Sequence, residues 1–112
     1  LLPVNRGILS TMYAKLNKEI TAAQVREMYR EAYGGEYFVR VLPEDAGVDI
    51  KNVKCSNYCD IQVYVDEHTK ILIVTSVIDN MVKGAAGQAV QNMNLLFGFE
   101  ETAGIDMIPL TF

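Results

Sequence analysis

Residues 60–78 read Asp60-Ile61-Gln62-Val63-Tyr64-Val65-Asp66-Glu67-His68-Thr69-Lys70-Ile71-Leu72-Ile73-Val74-Thr75-Ser76-Val77-Ile78. The first six alternate strictly, which puts Ile61, Val63 and Val65 on one face of a strand. Asp66 to Thr69 is a polar turn. Lys70 to Ile78 is almost continuously apolar, the pattern of a strand covered on both faces. Two such runs joined by a short polar turn form a β-hairpin, and hairpin-linked strands indicate an α+β fold rather than a doubly wound one.

Upstream, Ile8 to Leu16 mixes apolar residues, Thr and Tyr and reads as a strand, with Ile8, Met12, Ala14 and Leu16 on one face and Ser10 the exception. Thr21-Ala22-Ala23-Gln24 matches a capping box, and Ile20 and Val25 occupy the positions of a hydrophobic staple. Val25, Met28, Tyr29, Ala32 and Tyr33 then recur as the apolar stripe of a helix, which Gly34-Gly35 should end in a left-handed conformation. Tyr37 to Leu42 reads as a short strand stopped by Pro43, and Ile50 to Lys54 as another brief strand. Downstream, Lys83 to Phe97 reads as a second helix with Ala86, Ala89, Val90, Met93, Leu96 and Phe97 facing the core, ended by Gly98. The tail to Phe112 is apolar but aperiodic and should pack against the rest. About five strands and two helices result, in a mixed, largely antiparallel sheet with helices on one face.

The 112 residues fit one domain, 1–112. Ten Lys and Arg face 14 Asp and Glu, a net charge of −4 with no basic block, which argues against nucleic acid and anionic membranes as partners. The longest apolar runs, such as Ile71–Val74 and Met107–Leu110, fall far short of the ~18 residues of a membrane span. With two cysteines and no signal peptide, the expected compartment is reducing and cytoplasmic. The chain opens Leu1-Leu2-Pro3-Val4-Asn5-Arg6, without an initiator Met, as if cut from something longer.

Few residues offer chemistry. Cys55 and Cys59 have the wrong spacing for a C-x-x-C motif, and His68 alone could complete a metal site, so they read as structural thiols. His68 itself reads as a solvated turn residue. Arg6, between Asn5 and a flexible Gly7, suits bidentate capture of phosphate or carboxylate, although an ordinary surface Arg is the simpler reading. Lys83-Gly84-Ala85-Ala86-Gly87-Gln88 opens a helix with two glycines. Gly87 costs roughly 1 kcal/mol there relative to Ala. Either a ligand approaches the N–H groups at the positive helix end, aided by Lys83, or the helix packs closely against neighbouring backbone. Pattern alone leaves both open.

Leu2 to Thr11 (LPVNRGILST) and Val82 to Asn94 (VKGAAGQAVQNMN) closely resemble two segments of the N-acetyl-gamma-glutamyl-phosphate reductase family; Val53 to Asp60 and Phe97 to Thr102 resemble two more, so that the likeness spans essentially the whole chain. The resemblance implies an NADPH-dependent step of arginine biosynthesis in which an acyl phosphate becomes a semialdehyde through a cysteine thioester. It implies an N-terminal Rossmann domain for NADP and a catalytic domain of glyceraldehyde-3-phosphate-dehydrogenase-like fold, whose sheet forms the subunit contact of a dimer or tetramer. The terminal helix returns toward the nucleotide domain. By the same resemblance Asn5 and Arg6 line the substrate side, while Lys83, Gly84, Ala85, Gly87 and Asn92 lie toward NADP. The family's nucleophilic Cys and acid/base His have no counterpart here and are expected upstream of Leu1, as are the Rossmann glycines. The chain alone is therefore expected to be inactive and to bind NADP poorly. Position 55, where the family calls for Gly, carries Cys. An isolated dimerisation domain without activity and the related lysine-pathway N-acetyl-aminoadipyl-phosphate reductase are the alternatives.

Overall fold

The hairpin forms where alternation and apolar run demand it. β1 spans Ile8–Lys15, β2 Val39–Val41, β3 Cys59–Asp66 and β4 Ile71–Ile78. β3 and β4 pair antiparallel with Val63 opposite Val74, and β1 pairs antiparallel along the other edge of β4, with Ile8 opposite Ile78. β2 runs parallel to β3. The sheet order is β1-β4-β3-β2, so the most apolar strand is internal and the sheet is mixed but largely antiparallel, as expected. These features come from a computed structural model that describes residues 3–110. The hairpin turn is shaped by Asp66, whose carboxylate accepts from the Thr69 hydroxyl at 2.6 Å and the His68 N–H at 3.0 Å. His68 is an exposed turn residue.

Two helices complete the chain: α1, Ala22–Tyr33, and α2, Gly87–Phe97. The capping box of α1 is present, with Thr21 Oγ1 accepting from the Gln24 N–H at 3.2 Å and Gln24 Oε1 accepting from the Thr21 N–H at 2.9 Å. The helix lies over β2 and β3, and Val25 joins Ile61, Val63 and Val74 in the core with Tyr29 beside them.

Several local expectations change. The stripe of α1 is only half used: Met28, Ala32 and Tyr33 are exposed. β2 is only three residues long, so the sheet covers one flank of the helix. Arg26 is buried instead, its guanidinium donating to Gln62 Oε1 at 3.3 Å and to the Val63 carbonyl at 3.4 Å. Gly34 is right-handed, with φ −62°, and its N–H continues the helix to the Arg30 carbonyl at 2.7 Å. The helix ends without a left-handed cap; two successive glycines simply weaken it. Residues 50–52 form a 3-10 turn, not a strand, because the Asp49 carboxylate caps the Lys51 N–H at 2.9 Å and its carbonyl accepts from Asn52.

The polar side of β3 is closed off over its first half. Asp60 and Gln62 are buried, Asp60 by Arg40 at 2.6 Å and Gln62 by the carbonyls of Pro43 and Ala46 at 2.6 and 2.5 Å. β4 is covered less fully than its apolar run implies: Val74 and Val77 are buried, while its other residues remain partly open. Opposite α1 the sheet presents Leu9, Thr11 and Tyr13 of β1 and Tyr64 of β3, all exposed.

α2 is turned the other way from its apolar pattern. Its buried positions are Gly87, Gln91 and Asn94, while Ala86, Ala89, Met93, Leu96 and Phe97 are exposed, Leu96 at 83%. Gly98 does take the left-handed stop, φ 70°. In the tail Ile105 is buried and the Leu110 N–H reaches the Lys54 carbonyl at 3.0 Å. Leu1, Leu2, Thr111 and Phe112, part of the segments read above, lie outside the described residues.

Thr21→Ala removes one of two reciprocal cap bonds. It should lower stability by about 1 kcal/mol, read as a shift of the urea midpoint at unchanged slope. An unchanged midpoint would show that the cap contributes nothing to the folded domain.

Candidate functional site

Where β4 runs out, the chain places Asp79-Asn80 beside Arg6-Gly7, which precede β1. Asp79 is fully buried. Its Oδ2 is ion-paired with Arg6 Nε at 2.9 Å and accepts from the Cys55 N–H at 2.6 Å; its Oδ1 accepts from the N–H groups of Met81 and Val82 at 2.7 and 3.1 Å. Burial works to raise its pKa, but the hydrogen bonds from Cys55, Arg6, Met81 and Val82 outweigh it and hold the carboxyl below its usual range. Asn80 adds a second grip, its Oδ1 accepting from the Gly7 N–H at 2.7 Å. Gly7 has φ 116° and a side chain there would overlap Ile50, so glycine is required twice over.

The segment entering α2 is one wide turn, Val82–Ala86, kinked at Ala85 (φ −148°, ψ −106°) and followed by the regular helix. A single helix from Lys83 is thus replaced by a turn and a shorter helix. The Gly84 N–H donates to the Asp79 carbonyl at 2.9 Å, which fixes the turn to the end of β4. Gly84, Ala85 and Ala86 are exposed. Gly87 is buried, and a Cβ there would come within 2.6 Å of Val82 Cγ1 and 2.8 Å of the Val82 carbonyl and would overlap Asn57 Oδ1. Of the two readings of Gly87, close packing is the one the geometry favours.

Behind the turn lies a polar core. Gln91 Oε1 accepts from Asn57 Nδ2 at 2.9 Å and from Lys83 Nζ at 2.7 Å, and Gln91 Nε2 donates to Glu101 at 2.7 Å. Asn94 donates to the carbonyls of Glu101 and Ala103, each at 3.0 Å. Lys83 therefore points inward, 5.6 Å from the Phe38 ring centroid. Burial pulls its pKa down, against the opposing pull of Cys59, Glu101 and Glu36. Cys59 is half-buried, and burial pushes its thiol up although Lys83 acts the other way. A thiol so shifted is a poor nucleophile. Cys55 holds φ 62°, a left-handed backbone at a position where the family resemblance calls for Gly.

The structure thus brings Arg6 to the carboxylate that also holds the turn carrying Lys83, Gly84 and Ala85. Asn5 is exposed beside Arg6. Asn92 sits on the solvent side of α2, accepting from Gln88 at 2.9 Å. Sequence reading missed Asp79, Asn80, Asn57, Gln91 and Glu101. The available signal was Gly87, Gln91 and Asn94 at helical spacing, a polar face on an otherwise apolar helix. With its one carboxylate saturated by donors, the cluster can hold backbone and present a guanidinium. Among the described residues no group of three or more His, Cys, Asp or Glu side chains is placed to hold a metal ion.

The family model for the semialdehyde dehydrogenase dimerisation domain matches residues 1–80. The chain is 56% identical over 98% of its length to N-acetyl-gamma-glutamyl-phosphate reductase of Desulfotalea psychrophila, and 53% identical over 98% to that of Thermoanaerobacter pseudethanolicus. It spans 32% of the length of each. Among solved structures it resembles aspartate semialdehyde dehydrogenase II of Vibrio cholerae, with TM-score 0.67 and 24% identity over 87% of this chain and 29% of that one. That likeness establishes the fold.

Two substitutions should move stability in opposite directions. Cys55→Gly relieves a left-handed strain of about 1–2 kcal/mol. It gives back part of that as chain entropy, for a net gain of about 0.5–1 kcal/mol in thermal or urea unfolding. Gly87→Ala should lose about 1–3 kcal/mol through overpacking in spite of alanine's better helix propensity. A gain at Gly87→Ala would show that the space against Asn57 and Val82 is not filled.

Proposed function

The chain belongs to the semialdehyde dehydrogenase dimerisation-domain family, and from that premise we propose that its 112 residues are the substrate-side and subunit-contact domain of an N-acetyl-gamma-glutamyl-phosphate reductase. The observation that carries this reading is the 56% identity to such a reductase across 98% of the chain. The reaction class is NADPH-dependent reduction of an acyl phosphate to a semialdehyde, in the cytoplasm, with the thiolate, the acid/base histidine and the nucleotide-binding Rossmann domain supplied from outside these residues. The shorter N-acetylglutamyl substrate is preferred over its lysine-pathway homologue because the reductases named above act, by their names, on the glutamyl phosphate.

The residues present fit a nicotinamide nucleotide in part. NADP, when bound, supplies the hydride. Gly84, Ala85 and Ala86 leave an exposed stretch of backbone with almost no side chain in the way, which suits close approach of a flat group. Lys83 is turned inward to Gln91 and Gly87 is occupied by packing, so these two act by shaping the turn from behind. Arg6 engages Asp79 through Nε, which leaves its terminal nitrogens for an anionic substrate group, and the exposed Asn5 adds a neutral donor and acceptor beside it.

Two exposed apolar surfaces match the remaining partners. The sheet face with Leu9, Tyr13 and Tyr64 would meet a second copy, making the homo-dimer or the dimer unit of a tetramer. The outer face of α2, with Leu96 and Phe97, would meet the chain's own nucleotide domain.

Expressed with its full coding sequence, the protein should reduce N-acetyl-gamma-glutamyl phosphate with NADPH, and more efficiently than the one-carbon-longer N-acetyl-aminoadipyl phosphate. The 112 residues alone should oxidise no NADPH but should sediment above the monomer mass at micromolar concentration. Turnover by the short chain, or none by the full-length protein, would overturn the reading, and a purely monomeric sedimentation profile would overturn the sheet-face contact.

A further inference from the structure

We propose that Asp79 is a positioning residue that fastens the substrate-side Arg6 to the cofactor-side turn Val82–Ala86, making the two halves of the site one mechanical unit; the names of the two sides rest on the reductase reading above. Asp79 engages three separate segments at once: by an ion pair residue 6 before β1, and by accepted hydrogen bonds residue 55 in the loop before β3 and residues 81 and 82 entering the turn. The division of labour is by oxygen. Oδ2 takes Arg6 and Cys55, Oδ1 takes Met81 and Val82, and the main-chain carbonyl takes Gly84. Movement of Arg6 toward a substrate anion is therefore transmitted through one rigid carboxylate to the turn two and three residues further along the chain.

Stability alone is a poor reason for this arrangement. A fully buried carboxylate is costly to desolvate, and apolar replacements of buried ion pairs are often neutral or stabilising. The partners explain it better: Arg6 is a quarter exposed, so the pair sits at the boundary between core and open surface. The charge on Asp79 fixes the orientation of a cation that must face outward, while its second oxygen fixes the backbone from which Gly84 to Ala86 are presented.

Asp79→Asn tests this sharply. An amide has one acceptor and one donor end, so whichever way it turns, either Arg6 and Cys55 or Met81 and Val82 face an NH2 group. One half of the site must be released while the volume is kept. In the full-length protein, kcat/KM for the acyl phosphate should fall about 10- to 100-fold, the range expected when a reacting group is misplaced by about an ångström. Arg6→Met cuts the same link from its exposed end and keeps the test open if Asp79→Asn does not fold. Although Arg6 lies on the substrate side, its loss should weaken NADPH binding, read from cofactor fluorescence, by at least about fivefold, the lower end of ordinary coupling between sites. The double variant should bind NADPH no more weakly than the worse single one. A wild-type protein without turnover overturns the reductase reading. An active wild type whose Arg6→Met variant binds NADPH unchanged overturns the coupling alone, as does an Asp79→Asn variant whose only defect is a lower melting temperature with both KM values intact.

Discussion

A carboxylate with no access to water must be surrounded by donors, and Asp79 meets that condition by drawing three stretches of chain to one point. Much of the local geometry follows. The loop before β3 has to bring the Cys55 N–H to Oδ2, and it does so by taking a left-handed φ of 62° at a residue with a side chain. The chain leaving β4 has to fold back so that Met81 and Val82 reach Oδ1, which starts the turn wide and leaves a kink at Ala85 before regular helix begins. Gly7 must pass close to Ile50 at φ 116° so that Arg6 can reach across. None of these features is favourable in isolation.

The orientation of α2 is set by the same kind of constraint. Hydrophobicity alone would turn Met93, Leu96 and Phe97 inward. Instead the helix buries Gln91 and Asn94, because Asn57, Lys83 and Glu101 supply partners for one and the carbonyls of Glu101 and Ala103 for the other. An amide left without such partners costs about 1–3 kcal/mol when buried, and these bonds serve both ends of the Gln91 amide and the amide nitrogen of Asn94. Forming them turns the apolar residues outward. Their exposure is then a consequence of the hydrogen-bonded inner face.

What was legible in the sequence was what depends on neighbours along the chain. The hairpin follows from period-two alternation and a polar turn, the start of α1 from Thr21 and Gln24, and the stop of α2 from Gly98; each is settled within four or five residues. What was not legible depends on distant partners. Asp49 capping Lys51 makes the segment Ile50–Asn52, read above as part of a strand, a 3-10 turn. Arg26 is buried because Gln62, 36 residues on, offers an acceptor. Gly87 could be read as a ligand contact or as packing until Asn57 and Val82 were placed against it. In the candidate site, residue type pointed to Arg6 and the glycines at the helix start without deciding their role, and the resemblance added Ala85. Asp79, which holds them, looked like the first residue after a strand.

The two exposed apolar surfaces and the carboxylate cluster take on a common meaning once their places in the fold are compared. The open sheet face belongs to β1, β4 and β3, the strands whose antiparallel ladders are the most extensive in the molecule. The outer face of α2 is carried by a helix whose inner face is held by amide hydrogen bonds. Between these two supports stands the Asp79 cluster, fixed to β1 through Arg6 and Gly7 and to α2 through the turn at Val82–Ala86. A partner on the sheet face would press on the ladder that ends at Asp79, and a partner on α2 on the turn that begins there. In the reductase proposed above, subunit contact and nucleotide-domain contact would both bear on the same carboxylate. The domain would then present Arg6 and the Gly84–Ala86 backbone in a fixed relation whichever neighbour moves.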